Sequence, residues 1–236
     1  MKLTYVRWSM TIIETYGLTL ITDPVFGIFG VHQAPRSYTF EQMQRPDLVF
    51  ISHTHIDHFE PGVLRRLPAG TPVLMAADKL PRAAGLGLAG QHGVHEWEQV
   101  QFHGLRLTVV PAAHSGGEVG LVIAGDKTVY FAGDTSLDRN LFRIIAQRWR
   151  LDAVLLPIGD LRMLALPFRH MGPKTGAQAL RLLGEPRIVV PTHYSGMTLG
   201  PLMAFRGTPR KLSQAIHAAE LGTVVGTTRP LEMVEI

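Results

Sequence analysis

Short apolar runs, separated by glycine, proline and polar turns, set the rhythm of this chain. Leu3 to Trp8, Met10 to Thr15 and Leu18 to Ile21 read as strands, with Tyr16-Gly17 as a turn and Thr22-Asp23-Pro24 ending the set. Leu48-Val49-Phe50-Ile51 is continuously apolar, as a buried strand is. Further strands are predicted at Pro72 to Met75, Gln99 to Phe102, Leu105 to Val110, Ala153 to Leu156 and Ile188 to Val190. Val119 to Ala124 and Thr128 to Ala132 predict a hairpin through Gly125-Asp126-Lys127, and two short strands finish the chain. Helical patterns cover Pro61 to Leu67, Asp78 to Ala84 and Asp138 to Trp149. Pro173 opens another helix that runs to Leu183 and stops at Gly184, and Thr208-Pro209 opens the last, ending at Gly222. Phe26 to Phe40 lacks periodicity and reads as a long loop, of the kind that is often functional. Two packed sheets flanked by helices accommodate this order, in a single domain over residues 1–236 without repeats or linkers.

Composition narrows the function classes. At 46% hydrophobic and 18% charged, the chain has ample material for a core, and it contains no apolar run long enough to span a membrane. Its first residues enter strand-like alternation without a signal-peptide pattern, so a cytoplasmic protein is expected. The absence of cysteine excludes disulfides, zinc–cysteine sites and a thiol nucleophile. The net charge of +4 comes from scattered basic residues rather than a run. That pattern disfavours a nucleic-acid partner and fits a solvated surface, or arginines that bind an anionic substrate.

The richest chemistry lies in His53-Thr54-His55-Ile56-Asp57-His58, immediately after the buried strand at residues 48–51. Imidazole suits zinc, iron and manganese, and the carboxylate suits the harder metals of that range. Alternation in an extended stretch predicts His53, His55 and Asp57 on one side, with His58 turned the other way or continuing into the next turn. So tight a cluster cannot place all four ligands on one ion, which points to two metals. His114, Asp134 and His193 each follow an apolar strand in the same way, where catalytic groups are favoured on a rigid scaffold. Together these residues supply five imidazoles and two carboxylates, a donor set suited to a two-metal hydrolytic site.

The ordered series His53-x-His55-x-Asp57-His58, His114, Asp134 within Gly133-Asp134-Thr135, and His193 resembles the metallo-β-lactamase-fold superfamily. Asp23 within Thr22-Asp23-Pro24 matches its opening motif, so the resemblance covers nearly the whole chain. It implies an α/β fold, a four-layer αββα sandwich with the metals at one edge between the sheets. It also implies one metal on His53, His55 and His114 and another on Asp57, His58 and His193, with Asp134 bridging. Asp23 would accept hydrogen bonds that hold the histidine loop. Leu156-Pro157-Ile158-Gly159, His170-Met171-Gly172-Pro173, Ala177 and Pro191-Thr192-His193-Tyr194 resemble a narrower branch. That branch contains the L-ascorbate-6-phosphate lactonases and N-acyl-phosphatidylethanolamine-hydrolysing phospholipase D. The resemblance implies a catalytic or substrate-orienting role for His170 beside the catalytic Asp57 and Asp134. The absence of a cysteine ligand and of a separate glutathione- or RNA-binding module disfavours β-lactam, glutathione-thioester and tRNA substrates, and the intact Asp57-His58 pair differs from redox members that alter the cluster.

The expected chemistry is attack on a carbonyl carbon or phosphorus by hydroxide generated between two divalent ions, zinc first, with manganese or iron also accommodated. An ester, lactone or phosphodiester of an amphiphilic or anionic small molecule, phosphorylated or lipid-like, fits the loop composition. Phe26, Ile28, Phe29 and Val31 in one loop, and Leu161, Met163, Leu164, Leu166 and Phe168 in another, form an apolar stripe interleaved with Arg162 and Arg169. Phe29, Phe168, Arg162 and Arg169 are the candidate substrate-binding residues; the stripe equally suits core packing or a homo-oligomer contact. Ser52 is expected to support the cluster by hydrogen bonding, and Tyr194 either to support an oxyanion or to pack beneath the site. An iron-dependent oxidoreductase on the same cage is the alternative class, and a non-catalytic binding protein a more distant one.

Overall fold

The computed structural model describes residues 1–27, 38–88, 90–164, 166–167, 170–194 and 202–236. Strands β1 (Lys2–Arg7), β2 (Met10–Thr15) and β3 (Leu18–Thr22) form an antiparallel meander. Strands β4 (Leu48–Ile51), β5 (Pro72–Ala76) and β6 (Gly90–Val94) extend it in parallel, with helices α1 (Pro61–Leu64) and α2 (Leu80–Ala83) in the crossovers. The second sheet begins with the antiparallel strands β7 (Gln99–Phe102), β8 (Leu105–Pro111), β9 (Val119–Ala124) and β10 (Thr128–Phe131). Helix α3 (Arg139–Arg148) leads to β11 (Ala153–Pro157), which lies parallel to β10. Two short strands follow, β12 (Leu161–Met163) and β13 (Leu166–Pro167), then α4 (Pro173–Leu182) and β14 (Ile188–Thr192), parallel to β11. Strand β15 (Met203–Phe205) joins β12 and β13 in a small third sheet. After α5 (Pro209–Ala218) and β16 (Val224–Val225), β17 (Glu232–Glu235) closes on β1.

The two seven-stranded sheets run in the order β17-β1-β2-β3-β4-β5-β6 and β16-β14-β11-β10-β9-β8-β7. Their inner faces bury Leu3, Ile13, Leu20, Phe50 and Leu74 against Leu107, Val109, Leu121, Phe131 and Val190. The opposite faces are also covered. Val49, Ile51 and Met75 pack with Leu64 and Ala83 of the first pair of helices, and Tyr130, Val154 and Leu156 pack with α3, α4 and α5. These four layers are the αββα sandwich expected. The burial of both faces explains why β4 and β11 read as unbroken apolar runs rather than alternations. Among the described residues, no helix is long and apolar enough to cross a membrane.

Three expectations change. Strand β6 carries two glycines and no apolar signal, yet it pairs along its length with β5. The helix expected from Asp78 is a 3₁₀ turn at Ala77–Lys79 followed by the single turn of α2. The stretch from Leu161, read as loop, contains β12 and β13, because Met203–Phe205 supplies a partner some forty residues further along.

Phe131 is wholly buried and meets Phe50 of the other sheet edge-on, ring centroids 5.9 Å apart. Phe131→Ala should cost about 3–5 kcal/mol in urea unfolding. A loss of about 0.5 kcal/mol, the size of a surface effect, would mean that the sheets do not pack through this contact.

Candidate metal centre

The ionisable residues gather where strands of both sheets end, the favoured location for sites on parallel sheets. Strand β4 loses its neighbours after Ile51, and the chain does not continue extended through the histidine cluster. It turns instead, with the His58 and Phe59 N–H groups both donating to the His55 carbonyl at 3.0 and 2.9 Å. This corrects the alternation expected for the run. Without a ladder to hold period two, the turn separates Asp57 from His53 and His55 and sets it beside His58.

Two donor groups result, each with ligand atoms within 4.8 Å of one another: His53, His55 and His114, and Asp57, His58, Asp134 and His193. In the first, His53 Nε2 lies 2.9 Å from His55 Nδ1, and the His114 ring centre is 5.3 Å from both of theirs. In the second, Asp134 Oδ2 lies 3.2 Å from His58 Nε2 and 2.9 Å from His193 Nε2. Asp57 Oδ2 is 3.7 and 3.6 Å from the same two nitrogens. His170 stands over the junction, its ring 5.0 Å from that of His193 and 5.5 Å from that of His114.

A hydrogen-bonded layer behind the histidines presets their orientation. Asp23, wholly buried, accepts the Ser52 N–H at 2.8 Å, the Ser52 hydroxyl at 2.7 Å and His58 Nδ1–H at 2.8 Å. The Ser52 hydroxyl, its proton given to Asp23, accepts from His53 Nδ1–H at 3.0 Å. Both rings thus carry a proton on Nδ1 and turn Nε2 towards the cluster. Trp8 covers His193, ring centres 3.8 Å apart, and donates its indole N–H to Asp57 Oδ2 at 3.1 Å. Trp8, Asp23 and His193 all hold left-handed backbone, φ 45°, 40° and 54°. Such strain, on the order of 1–3 kcal/mol per residue, persists only where surroundings over-determine it. Here the His193 N–H donates to the Trp8 carbonyl at 2.8 Å and the Asp23 N–H to the Phe50 carbonyl at 2.9 Å.

The electrostatics favour a cation. Burial works to lower the pKa of His58, but Asp134, Asp57 and Asp23 outweigh it and hold the group well above its usual value. His193 is raised in the same way, burial being overcome by Asp134 and Asp57. Asp134, despite burial, is held well below the carboxylate range by His193 and His58. At His53 burial and the neighbouring His58 outweigh Asp134 and push the pKa down to about 2. The field that protonates His58 and His193 also favours a metal ion at their Nε2 atoms. His58 Nε2 and His193 Nε2 face the carboxylates of Asp134 and Asp57, and His114 Nε2 and Asp134 Oδ1 are buried without hydrogen-bond partners. Each such orphan costs about 1–3 kcal/mol when nothing satisfies it. An imidazole and carboxylate set of this kind fits zinc, manganese or iron.

Other expectations resolve as follows. Tyr194 stacks on Tyr5 at 5.2 Å between the sheets, so it packs beneath the site. Arg162 is half-buried on β12, its Nε donating to Asp160 Oδ1 at 3.1 Å. His92, His95, His103 and His217 are exposed. Phe29, Phe168 and Arg169, with Ile28, Val31 and His32, lie outside the described residues. Trp8 and Glu118 escaped the sequence reading, while Phe205, with Arg206 after it, belongs to an apolar stretch that the sequence offers as part of a substrate rim. Phe205 meets Trp8 edge-on at 5.0 Å and closes that wall of the site. Glu118, wholly buried, was legible only as an acid at the mouth of an apolar strand, a position that ordinarily faces solvent.

Residues 19–194 match the family model described as a β-lactamase superfamily domain. The chain belongs to this superfamily and has its metallo-β-lactamase fold. A UPF0173 metal-dependent hydrolase of Methanopyrus kandleri is 27% identical over 248 residues, spanning all of both chains. One from Pyrobaculum neutrophilum is 32% identical over 210 residues, 82% of this chain and 85% of the relative. Among solved structures, Igni18, a metallo hydrolase from Ignicoccus hospitalis, superposes with a TM-score of 0.79 at 28% identity, covering 99% of this chain and 97% of that one.

Trp8 is a built-in reporter, since Trp97 and Trp149 pack with the outer helices instead. Adding Zn²⁺ or Mn²⁺ to chelator-treated protein should change tryptophan emission, and Trp8→Phe should abolish the change. A response that survives in W8F would put the cation away from Asp57 and His193.

Proposed function

We propose that this protein is a metal-dependent hydrolase with a two-cation centre. His53, His55 and His114 would hold one divalent ion, zinc first among the candidates; Asp57, His58 and His193 would hold the other, with Asp134 between them. The observation that carries the reading is the pair of adjoining donor groups, whose largely buried ligand atoms face one another within 4.8 Å, with His114 Nε2 and Asp134 Oδ1 lacking any hydrogen-bond partner. The relatives named metal-dependent hydrolases support it.

When bound, the cations supply Lewis acidity and lower the pKa of water towards neutrality. The chain does the rest. Asp23 and Ser52 hold His58 and His53 with Nε2 facing inward. Trp8 fixes which oxygen of Asp57 is engaged, and with Phe205 screens His193 from water. Burial, reinforced by His193, holds the His170 pKa down to about 4, so its ring is neutral at physiological pH. A neutral imidazole in that position can orient substrate or pass a proton to the leaving group.

Arg162 and the apolar residues around it suit a phosphodiester, lactone or ester with both apolar and anionic parts. Asp160 already neutralises much of the Arg162 charge, so its contribution is orientation more than bulk attraction.

Turnover of an aryl phosphodiester or a matched lactone should require Zn²⁺ or Mn²⁺ and disappear with chelator. Asp134→Ala should lower kcat/KM by more than the ~10–100-fold that loss of a residue merely supporting a ligand costs. Full turnover in D134A would end this reading. Arg162→Ala should raise KM several-fold for an anionic substrate and leave that for a neutral one unchanged, so equal effects on both would remove the anion contact.

A further inference from the structure

Glu118 lies outside both donor groups, yet it touches both. It immediately precedes β9, and the next residue, Val119, donates its N–H to the Ser52 carbonyl at 3.0 Å, tying this point of the second sheet to the end of β4 in the first. Glu118 Oε1 accepts the Asp134 N–H at 2.5 Å and lies 3.4 Å from His53 Nδ1. The contact is close enough to dictate its neighbour: a Cβ on Gly133 would stand 2.1 Å from Oε1, and Gly133 holds φ +60°. Glycine in Gly133-Asp134-Thr135 therefore makes room for this carboxylate as well as permitting the turn.

Stability alone gives little reason for an acid here. Burying a carboxylate is costly, and Glu118 Oε2 has no hydrogen-bond partner. The charge balance of a two-cation centre gives a reason. Among the described residues, four buried or largely buried carboxylates meet at this place: Asp23, Asp57, Glu118 and Asp134. Burial raises the pKa of Asp23 and Glu118, but all four in ionised form would offset the four positive charges of two divalent ions while every imidazole stays neutral. Asp23 supports the His58 side, and Glu118 has the matching position on the His53 side, sharing the Nδ1–H with Ser52. A carboxylate behind a ligating imidazole raises its basicity and fixes its ring.

Resting on the two-cation reading above, we infer that Glu118 is a positioning residue for the metal centre, orienting His53 through Nδ1 and Asp134 through its backbone N–H. It acts on the ion held by His53, His55 and His114.

Competitive chelator titration with Zn²⁺ tests this without reference to turnover. Wild type should bind two equivalents. Glu118→Gln, nearly isosteric, should weaken one by about 10–100-fold, the same one that His114→Ala removes, and affect the other, which it reaches only through Asp134, much less. The Tm of chelator-treated E118Q should not fall, because burial already favours the uncharged carboxyl, which glutamine resembles. Glu118→Asp, with its carboxylate drawn back from His53, should lie between E118Q and wild type, and it carries the test alone should E118Q fail to fold. Unaltered affinity for both equivalents in these variants would overturn the inference. So would an equal loss at both sites with a lowered Tm, since that marks a merely structural residue. Wild type that binds no Zn²⁺ would overturn the two-cation reading, and this inference with it.

Discussion

Polar crowding at the ends of the two central sheets is the constraint around which this molecule is organised. Histidines and carboxylates are packed there so tightly that His53, His58 and His193 cannot all be protonated, and the Nε2 atoms of His58 and His193 meet only carboxylates. Such a cluster is unfavourable unless a cation completes it or the scaffold compels it. The structure provides for both. The donor atoms form two compact groups, and the backbone beneath them is held in conformations that only dense hydrogen bonding sustains.

That compulsion comes from contacts between the sheets. Val119 N–H reaches Ser52 and His193 N–H reaches Trp8, each joining a residue of the second sheet's ends to one of the first, while Asp134 N–H reaches Glu118 between neighbouring strands of the second. The apolar interface beneath, from Leu3 and Phe50 to Phe131 and Val190, sets the separation over which these bonds can form. Core and site are therefore one mechanical unit: the packing aligns the strand ends, and the strand ends carry the chemistry.

Much of the site was readable in advance because its residues follow strands that announce themselves. Buried β4, β8, β10 and β14 are apolar runs, and His53, His114, Asp134 and His193 stand just past their ends. The supporting residues were harder to see. Trp8 sits in a two-residue turn between strands and Glu118 in a glycine-rich loop, where ordinary composition rules place solvent-exposed groups. The small sheet of β12, β13 and β15 was invisible for a related reason: its strands are two or three residues long and exist through pairing with a distant segment.

The linear order of residues determined which chemistry the chain can carry: an imidazole-rich, cysteine-free donor set, delivered at strand ends in two covered sheets. Tertiary structure decided how that set is divided. Local periodicity grouped Asp57 with His53 and His55, but the turn closed on the His55 carbonyl moved it to His58, Asp134 and His193. It also decided which acid stands behind which histidine, since Glu118 and His53 are 65 positions apart in the chain and meet only because two sheets are stitched together at Ser52 and Val119. Hydrophobic patterning is local and survives in one dimension. Hydrogen-bond direction and charge compensation between distant strands arise only once the chain has closed on itself.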